Sequence, residues 1–199
     1  MSEIQYMRKP DWISWDEVQA CQAQAHIVNN RHGIHMHCQD LSGEKLKEII
    51  GDGFCYVAID SNRVVGTCSL QYIRKVVKFG QKKKVGYLSM AGVLPEYRGG
   101  EVYFGLQKIR MRDIKEEHID IVYFSTAENN IMVRKLNEKQ GFKYVFMKAS
   151  HVTNYYSVVM AKWITTPPPN EFLLKVLFLM SKVYVKLRYK PGHKKRFGI

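Results

Sequence analysis

The spacing of apolar positions along the chain predicts an α/β fold. An apolar run from Val85 to Val93 is typical of a buried strand, and Pro95 ends it. Residues 53–80 are rich in β-forming residues on both sides of Ser61-Asn62, which predicts a hairpin with its turn at these two residues. Further strands are predicted at 4–7, 119–125, 143–150 and 155–163.

Three helices are predicted in the first 120 residues. Ser14 to Glu17 is typical of an N-cap and first turn, and a second helix begins near Ser42. The third runs to about Glu117 and places three apolar residues at i, i+4 and i+7, namely Val102, Leu106 and Ile109. This helix crosses between the strands at 85–93 and 119–125, which are therefore predicted to be parallel.

The segment between the strand at 85–93 and the third helix has the composition of a phosphate-binding turn. Arg98, Gly99 and Gly100 follow the strand closely. Glycine lets an anion approach the backbone, and the amides and dipole at a helix start favour negative charge, as does a guanidinium. We therefore expect an anionic ligand at this turn.

The same stretch resembles the acetyl-CoA-binding motif of the GCN5-related N-acetyltransferases, the GNAT superfamily. The resemblance rests on the strand that ends at Val93 and on Pro95, Tyr97, Arg98 and Gly99. It implies that the backbone near residues 91–93 pairs with the pantetheine arm of the cofactor as an extra strand would. The residues that it implies for cofactor binding are Ala91, Gly92, Val93, Arg98, Gly99, Gly100, Glu101, Val102 and Tyr103. Glu101 and Tyr103 depart from the motif, which prefers Gly and Gly or Ala there.

A second resemblance to this family lies at residues 125–145. Asn130 is followed by a short amphipathic helix, then by Gly141-Phe142 and a new strand. Gly141 suits a helix C′ position with positive φ, and Phe142 suits a core anchor. The family implies a mixed, mostly antiparallel central sheet of six to seven strands with a splayed parallel pair, flanked by about four helices. It also implies that Asn130 contacts the pantetheine arm or its thioester end.

The chemistry implied by the family is direct transfer from a thioester to an amine. This transfer needs a base, donors at the developing oxyanion and an acid for the leaving thiolate. The family commonly supplies the acid as a Tyr four residues before the Gly of Gly-Phe, and that position is Asn137 here. An Asn cannot give a proton to sulfur, so water or another phenol would supply it: Tyr144, Tyr123, Tyr155 or Tyr156. The candidate bases are Glu128, Ser89 through a water, His35 and His151.

The connection between the first two helices, residues 31–38, contains three His and one Cys. These are suitable ligands for zinc or another transition metal, and His35 and His37 would share one face of an extended segment. The spacing matches no standard zinc module, however, and the alternatives are a polar acceptor pocket and simple solvent exposure. We expect no metal, and we count His35 among the candidate catalytic residues because imidazole titrates near neutrality.

The formal net charge of +13, from 31 Lys and Arg against 18 Asp and Glu, indicates anionic partners. One basic cluster accompanies a turn predicted at 78–84. This turn is either a solvated hairpin tip or a contact for an anionic substrate or for the CoA 3′-phosphate. A second basic cluster lies between Lys186 and Arg196, near the C-terminus.

The chain continues beyond the domain that the resemblance covers. We divide it into a GNAT-like acyltransferase domain at 1–164, a Pro-rich linker at 165–170 and a basic amphipathic extension at 171–199. The extension is predicted as a helix to about Tyr184, followed by an extended basic tail. It packs on the domain or on a second subunit of a homodimer, or it binds an anionic membrane surface. Nucleic acid is not expected, because no recognised binding pattern accompanies the basic residues.

Sequence features also predict a cytoplasmic protein, with a peripheral position at the inner face of the membrane if the tail binds lipid. The four Cys lack Cys-x-x-Cys spacing, and the first residues lack an apolar signal core. We therefore expect an acyl-CoA-dependent N-acyltransferase that uses acetyl-CoA and acts on an amine of a small molecule or an envelope precursor. The alternatives are a non-catalytic CoA-binding or membrane-associated module with the same fold, and an enzyme that uses a longer acyl chain.

Overall fold

The computed structural model of the chain describes residues 3–30, 39–78, 81–149 and 155–189. The chain divides into two units, Met1–Ile119 and Asp120–Ile199. The described residues form seven strands and five α-helices. These numbers agree with the predicted six to seven strands and with four helices plus a C-terminal helix.

The first unit is a four-stranded antiparallel sheet with three α-helices. Its strands pair in the order β1, β2, β3, β4. The elements are β1 (Gln5–Arg8), α1 (Trp15–Asn30), α2 (Gly43–Ile50), β2 (Phe54–Asp60), β3 (Arg63–Lys78), β4 (Gln81–Val93), a 3₁₀ turn (Pro95–Tyr97) and α3 (Val102–Glu116).

Two local signals in the first unit have the predicted outcome. Ser14 and Glu17 form a reciprocal capping box, because the Ser14 backbone N–H donates to Glu17 Oε2 at 2.8 Å and the Glu17 N–H donates to Ser14 Oγ at 3.2 Å. Ser61 and Asn62 both have positive φ, 48° and 64°, as a tight two-residue hairpin turn requires. The helix α1 and the β2–β3 hairpin therefore begin and turn where the sequence indicates.

The start of β4 differs from the prediction. The strand was expected at 85–93 after a Lys-rich turn at 78–84, whereas β4 begins at Gln81 and pairs with Lys78. Lysine is depleted in strands, which favoured a loop, but the antiparallel ladder with β3 continues almost to the hairpin connection and overrides that propensity. Lys84 is held in this ladder, and its Nζ lies 3.1 Å from Glu117 Oε2.

The second unit is a three-stranded antiparallel sheet with two helices. Its strands pair in the order β5, β7, β6, so β6 lies at an edge of this unit's sheet. The elements are β5 (Ile121–Ala127), α4 (Ile131–Lys139), β6 (Lys143–Ala149), β7 (Tyr156–Trp163) and α5 (Glu171–Arg188). The strand predicted at 119–125 begins two residues later, because the N–H of Ile119 still donates to the Ile114 carbonyl at the end of α3.

The last helix, α5, packs along β6. Asn170 caps it, since Asn170 Oδ1 accepts from the N–H of Phe172 at 2.9 Å. Ser181 Oγ accepts from the N–H of Met147 on β6 at 2.9 Å, and the rings of Phe178 and Tyr144 are 5.1 Å apart. These contacts follow the helical spacing 174, 178, 181 and 185.

The end of α5 also corrects the prediction. The helix was expected to stop near Tyr184, but it continues to Arg188 because Val185 is the next position on the packed side and is 5% exposed. Lys186 and Arg188 in the last turn suit the negative end of the helix dipole. None of the helices in the described part of the chain is long and apolar enough to cross a membrane.

Two adjacent leucines test the packing of α5. Leu174 is 6% exposed and Leu173 is 50% exposed. We expect Leu174→Ala to lower the free energy of unfolding by about 2–4 kcal/mol, and Leu173→Ala to change it by less than about 0.5 kcal/mol. Urea unfolding followed by circular dichroism measures both. Equal effects of the two substitutions would contradict the packed side that the structure gives to α5.

Candidate functional site

The predicted phosphate turn joins the end of β4 to the start of α3. Leu94 anchors it, because this side chain is 1% exposed and its N–H donates to the Val65 carbonyl at 3.0 Å. Gly99 has a φ of 78°, and a Cβ added there would meet no atom within 4 Å. The left-handed conformation, and not a lack of space, is therefore what requires glycine at this position.

The first turn of α3 provides the amides of the turn. Its first intrahelical bond runs from the Gly105 N–H to the Glu101 carbonyl at 2.8 Å, so the amides before it have no acceptor inside the helix. Val102 is 2% exposed and packs so closely on β3 that a Cβ at Gly66 would lie 2.8 Å from its Cγ1. The predicted residues 98–103 thus lie together at a fixed helix N-terminus, where an anion is favoured.

Glu101, which departs from the family motif, occupies the N-cap position of α3 without making a capping bond. Glu101 is exposed to solvent. Its charge contributes, after burial, to the raised pKa of Tyr6 on β1. A phosphate can bind at this turn only if the Glu101 carboxylate points away into solvent.

Arg98 holds the turn against α1. Its Nε donates to the Val93 carbonyl at 3.2 Å, and its Nη2 donates to the Ala25 carbonyl in α1. The guanidinium therefore cross-links the end of β4 to the helix beside it. Its positive charge stays next to the turn that the glycines form.

A β-bulge interrupts β4 just before the turn. Thr67 pairs with Gly92 and Ser69 pairs with Ser89, so two residues of β4 lie opposite one residue of β3. Met90 has a φ of 50°, an uncommon value for a residue with a side chain. The bulge changes the direction of the backbone at residues 91–93, the segment expected to bind the pantetheine arm.

Two side chains hold the bulge in place. Gln22 Nε2 donates to the Met90 carbonyl at 2.5 Å, and Thr67 Oγ1 donates to the same oxygen at 3.2 Å. Gln22 also donates to Thr67 Oγ1. The carbonyl oxygen that the bulge turns out of the ladder is thereby satisfied from α1 and β3.

Gln22 belongs to a buried polar cluster with His26 that sequence reasoning missed. Gln22 is fully buried and His26 is 8% exposed. A Cβ added at Gly92 would lie 3.1 Å from Gln22 Nε2 and 3.4 Å from His26 Nε2, so glycine is what allows α1 to approach β4 here. The spacing of Gln22 and His26 from Val18, at i+4 and i+8 on one face of α1, is the signal that could have indicated their burial.

His26 is held neutral by its surroundings. Burial, with a smaller contribution from the positive charge of Arg98, lowers the pKa of His26 from 6.5 to about 4. On the sheet, Ser69 Oγ and Ser89 Oγ lie 2.7 Å apart, and Ser69 Oγ donates to the Ser89 carbonyl at 3.2 Å. Ser89, a candidate base, is therefore paired with a second hydroxyl.

In the second unit, Asn130 and Asn137 stand at the two ends of α4. Asn130 is the N-cap residue, and its Nδ2 donates to Thr126 Oγ1 at 3.3 Å. Asn137 is 6% exposed, and its Nδ2 donates to the Val133 carbonyl at 2.8 Å. The Asn137 carbonyl also accepts from the N–H of Phe142, which follows Gly141 with its φ of 88°. Asn137 therefore stabilises the end of α4.

Two further candidates in the second unit, Glu128 and Tyr144, both contact α5. Glu128 Oε1 lies 3.0 Å from Lys186 Nζ and 3.9 Å from Lys182 Nζ. Burial raises the pKa of Tyr144, and a hydrogen bond with Glu138 raises it further. His35 and the rest of 31–38, like His151, lie outside the described residues. Within the described ranges, no group of three or more His, Cys, Asp or Glu could hold a metal ion.

The sequence model of the Acetyltransferase (GNAT) family matches residues 15–142. No curated protein matches the chain in a sequence search.

Several solved structures share the fold. The ribosomal-protein-S18-alanine N-acetyltransferase of Escherichia coli is 11% identical with a TM-score of 0.64, and the match covers 84% of this chain and 98% of that one. An acetyltransferase from Streptococcus agalactiae is 18% identical with a TM-score of 0.60, covering 82% and 100%. A GNAT family acetyltransferase from Elizabethkingia anophelis with acetyl-CoA bound is 11% identical with a TM-score of 0.57, covering 82% and 100%. The predicted fold class is thereby confirmed.

The buried His26 predicts a dependence of stability on pH. Its imidazole takes up a proton near pH 6.5 in the unfolded chain but only near pH 4 in the folded one, so the unfolded state gains protons first. We therefore expect the free energy of unfolding to fall as the pH is lowered from about 6.5 to about 4, by up to about 1.4 kcal/mol per pH unit. His26→Asn should remove this part of the slope, whereas His118→Asn, at an exposed position, should keep it. A slope that persists in His26→Asn would contradict the assignment.

Proposed function

The chain belongs to the acetyltransferase (GNAT) family, and from this membership we propose that it transfers an acetyl group from acetyl-CoA to an amine of its acceptor. The observation that carries the proposal is the turn at 98–103. Its left-handed Gly99 and the open amides of α3 suit the pyrophosphate of CoA. The backbone at Ala91, Gly92 and Val93, which follows the bulge, is the proposed partner of the pantetheine arm.

The proposed reaction is direct attack. The amine nitrogen forms a bond to the thioester carbonyl carbon, the carbon–sulfur bond breaks, and the nitrogen loses a proton to a base while the thiolate gains one. Glu128 is the proposed base, because a carboxylate side chain can accept the proton, and Lys186 Nζ, 3.0 Å from Glu128 Oε1, holds it in position. Asn130 is proposed to contact the arm or the thioester, and His35 stays a second candidate base.

The acid differs from the family pattern. The Nδ2 of Asn137 donates to the Val133 carbonyl, so this amide has a structural partner and has no proton to give at neutral pH. Tyr144 is our proposed acid, because a phenol carries a transferable proton at neutral pH, which the side-chain amide of Asn137 does not. If Tyr144 does not serve, water protonates the thiolate of CoA.

The arrangement of Asn137 favours a second candidate function. A chain that binds acetyl-CoA but lacks an acid could act as a non-catalytic binding module. Turnover separates the two functions, because only the enzyme releases free CoA thiol in the presence of an amine. Either function would operate in the cytoplasm, a proposal supported by the buried, unpaired thiols of Cys21, Cys55 and Cys68.

Calorimetric titration with acetyl-CoA, free CoA and a long-chain acyl-CoA tests the binding part of the proposal. We expect Arg98→Ala to weaken acetyl-CoA binding by about tenfold, or about 1.4 kcal/mol, because the turn loses its link to α1 and a nearby positive charge. The matched control is Arg63→Ala, which removes an exposed guanidinium paired with Glu96 at 3.2 Å. Equal weakening in both variants would contradict a specific role for the turn, and thiol release with a panel of amines then tests catalysis.

Glu101 provides a second test at the same turn. Removing its charge should strengthen acetyl-CoA binding, because a carboxylate beside the phosphates repels them. We expect Glu101→Gln to lower the Kd by about two- to tenfold at low salt and by less at high salt. The control is Glu96→Gln on the 3₁₀ turn, five residues before Glu101, because it removes the same charge from the protein. If both variants bind alike, general attraction by the net charge accounts for the effect and Glu101 does not border the phosphates.

A further inference from the structure

The helix α5 has two faces of different character. One face packs on β6 through Leu174, Phe178, Ser181 and Val185. The opposite face is also apolar, although it is exposed to solvent. Its members, here called the apolar face of α5, are Phe172 (76% exposed), Leu179 (60%), Met180 (63%), Val183 (50%) and Leu187 (75%).

The apolar face of α5 is a continuous feature. Its residues fall at i, i+7, i+8, i+11 and i+15, which places them on one side of the helix over four turns. Singly exposed apolar residues are ordinary on a protein surface, but a contiguous patch of this kind marks an interaction site. Since α5 covers β6 with its other face, this patch stays exposed among the described residues.

The charges beside this face select the partner. Lys175, Lys182 and Lys186 follow one border of the apolar face, each at i+3 or i+4 from an apolar member. The segment 171–199 contains eight basic residues and a single acidic one, Glu171. An apolar stripe bordered by lysines and followed by a basic segment is complementary to a surface with negative headgroups and an apolar interior.

The same charges disfavour the alternative partner, a second copy of this chain. Each chain has a formal net charge of +13, so joining two copies through α5 would bring two basic segments together. Lys182 and Lys186 share one carboxylate, Glu128, and therefore keep a positive balance. The basic residues that repel a second copy are the same ones that attract an anionic surface.

We infer that α5 binds an anionic lipid surface, with its apolar face among the acyl chains next to the headgroups and its lysines at the lipid phosphates. Lysine is suited to this position, because its long stem lies along apolar surface while the ammonium reaches the phosphate. The inference does not rest on acyl transfer, since it uses the apolar face of α5 and the lysines of this helix alone.

Sedimentation with vesicles tests the inference. The full chain should bind phosphatidylglycerol vesicles, bind phosphatidylcholine vesicles at least about tenfold more weakly, and dissociate from the former as salt increases. Met180→Glu should lower the partition coefficient by about tenfold or more, because it places a charge within the apolar face. The matched control is Met132→Glu on α4. This substitution makes the same change of charge, and Met132 is 81% exposed.

Three results would overturn the inference. The first is no binding to phosphatidylglycerol vesicles at low salt, and the second is equal loss of binding in the two variants. The third is a dimer in sedimentation equilibrium that Met180→Glu dissociates, which would assign the apolar face to a second copy. Acetyl-CoA titration of Met180→Glu separates this test from the proposed function, because α5 makes no part of the phosphate turn and binding of acetyl-CoA should be unchanged.

Discussion

The carbonyl oxygen of Met90 is the point on which the first unit's site depends. It leaves the β3–β4 ladder because Met90 is in the left-handed region, and it would be costly to bury without a donor. Gln22 and Thr67 supply two donors. The hydrogen bonds of α1 therefore maintain a backbone conformation in β4 that the sheet alone would not keep.

Other features of the site follow from this attachment. Because Gln22 must reach Met90, α1 lies so close to β4 that a side chain at residue 92 would crowd it, with a Cβ 3.0 Å from that of Ala25. The same closeness buries His26 and keeps its imidazole neutral. Arg98 adds a second link, from the end of β4 to the Ala25 carbonyl, so both sides of the segment 91–98 are tied to one helix.

Features with a short-range signal could be predicted from the sequence. The capping box at Ser14, the hairpin turn at Ser61-Asn62 and the positive φ of Gly141 each depend on a few adjacent residues. The bulge could not be predicted, because Met has no preference for a left-handed conformation and its stabilising partner is 68 residues away in the sequence. The ends of β4 and α5 were misplaced for a related reason, since pairing with β3 and packing on β6 extend both elements beyond what local propensity indicates.

The hydrogen bond from Met147 to Ser181 has a consequence for the solubility of the chain. The N–H of Met147 points outward from β6, the edge strand of its sheet, and α5 lies over it. A strand with open amides and carbonyls at an edge is a template for pairing with strands of other molecules. Proteolytic loss of α5 would expose that edge and the ring of Tyr144, which packs on Phe178. The second unit would then be prone to form intermolecular β-sheet and to aggregate.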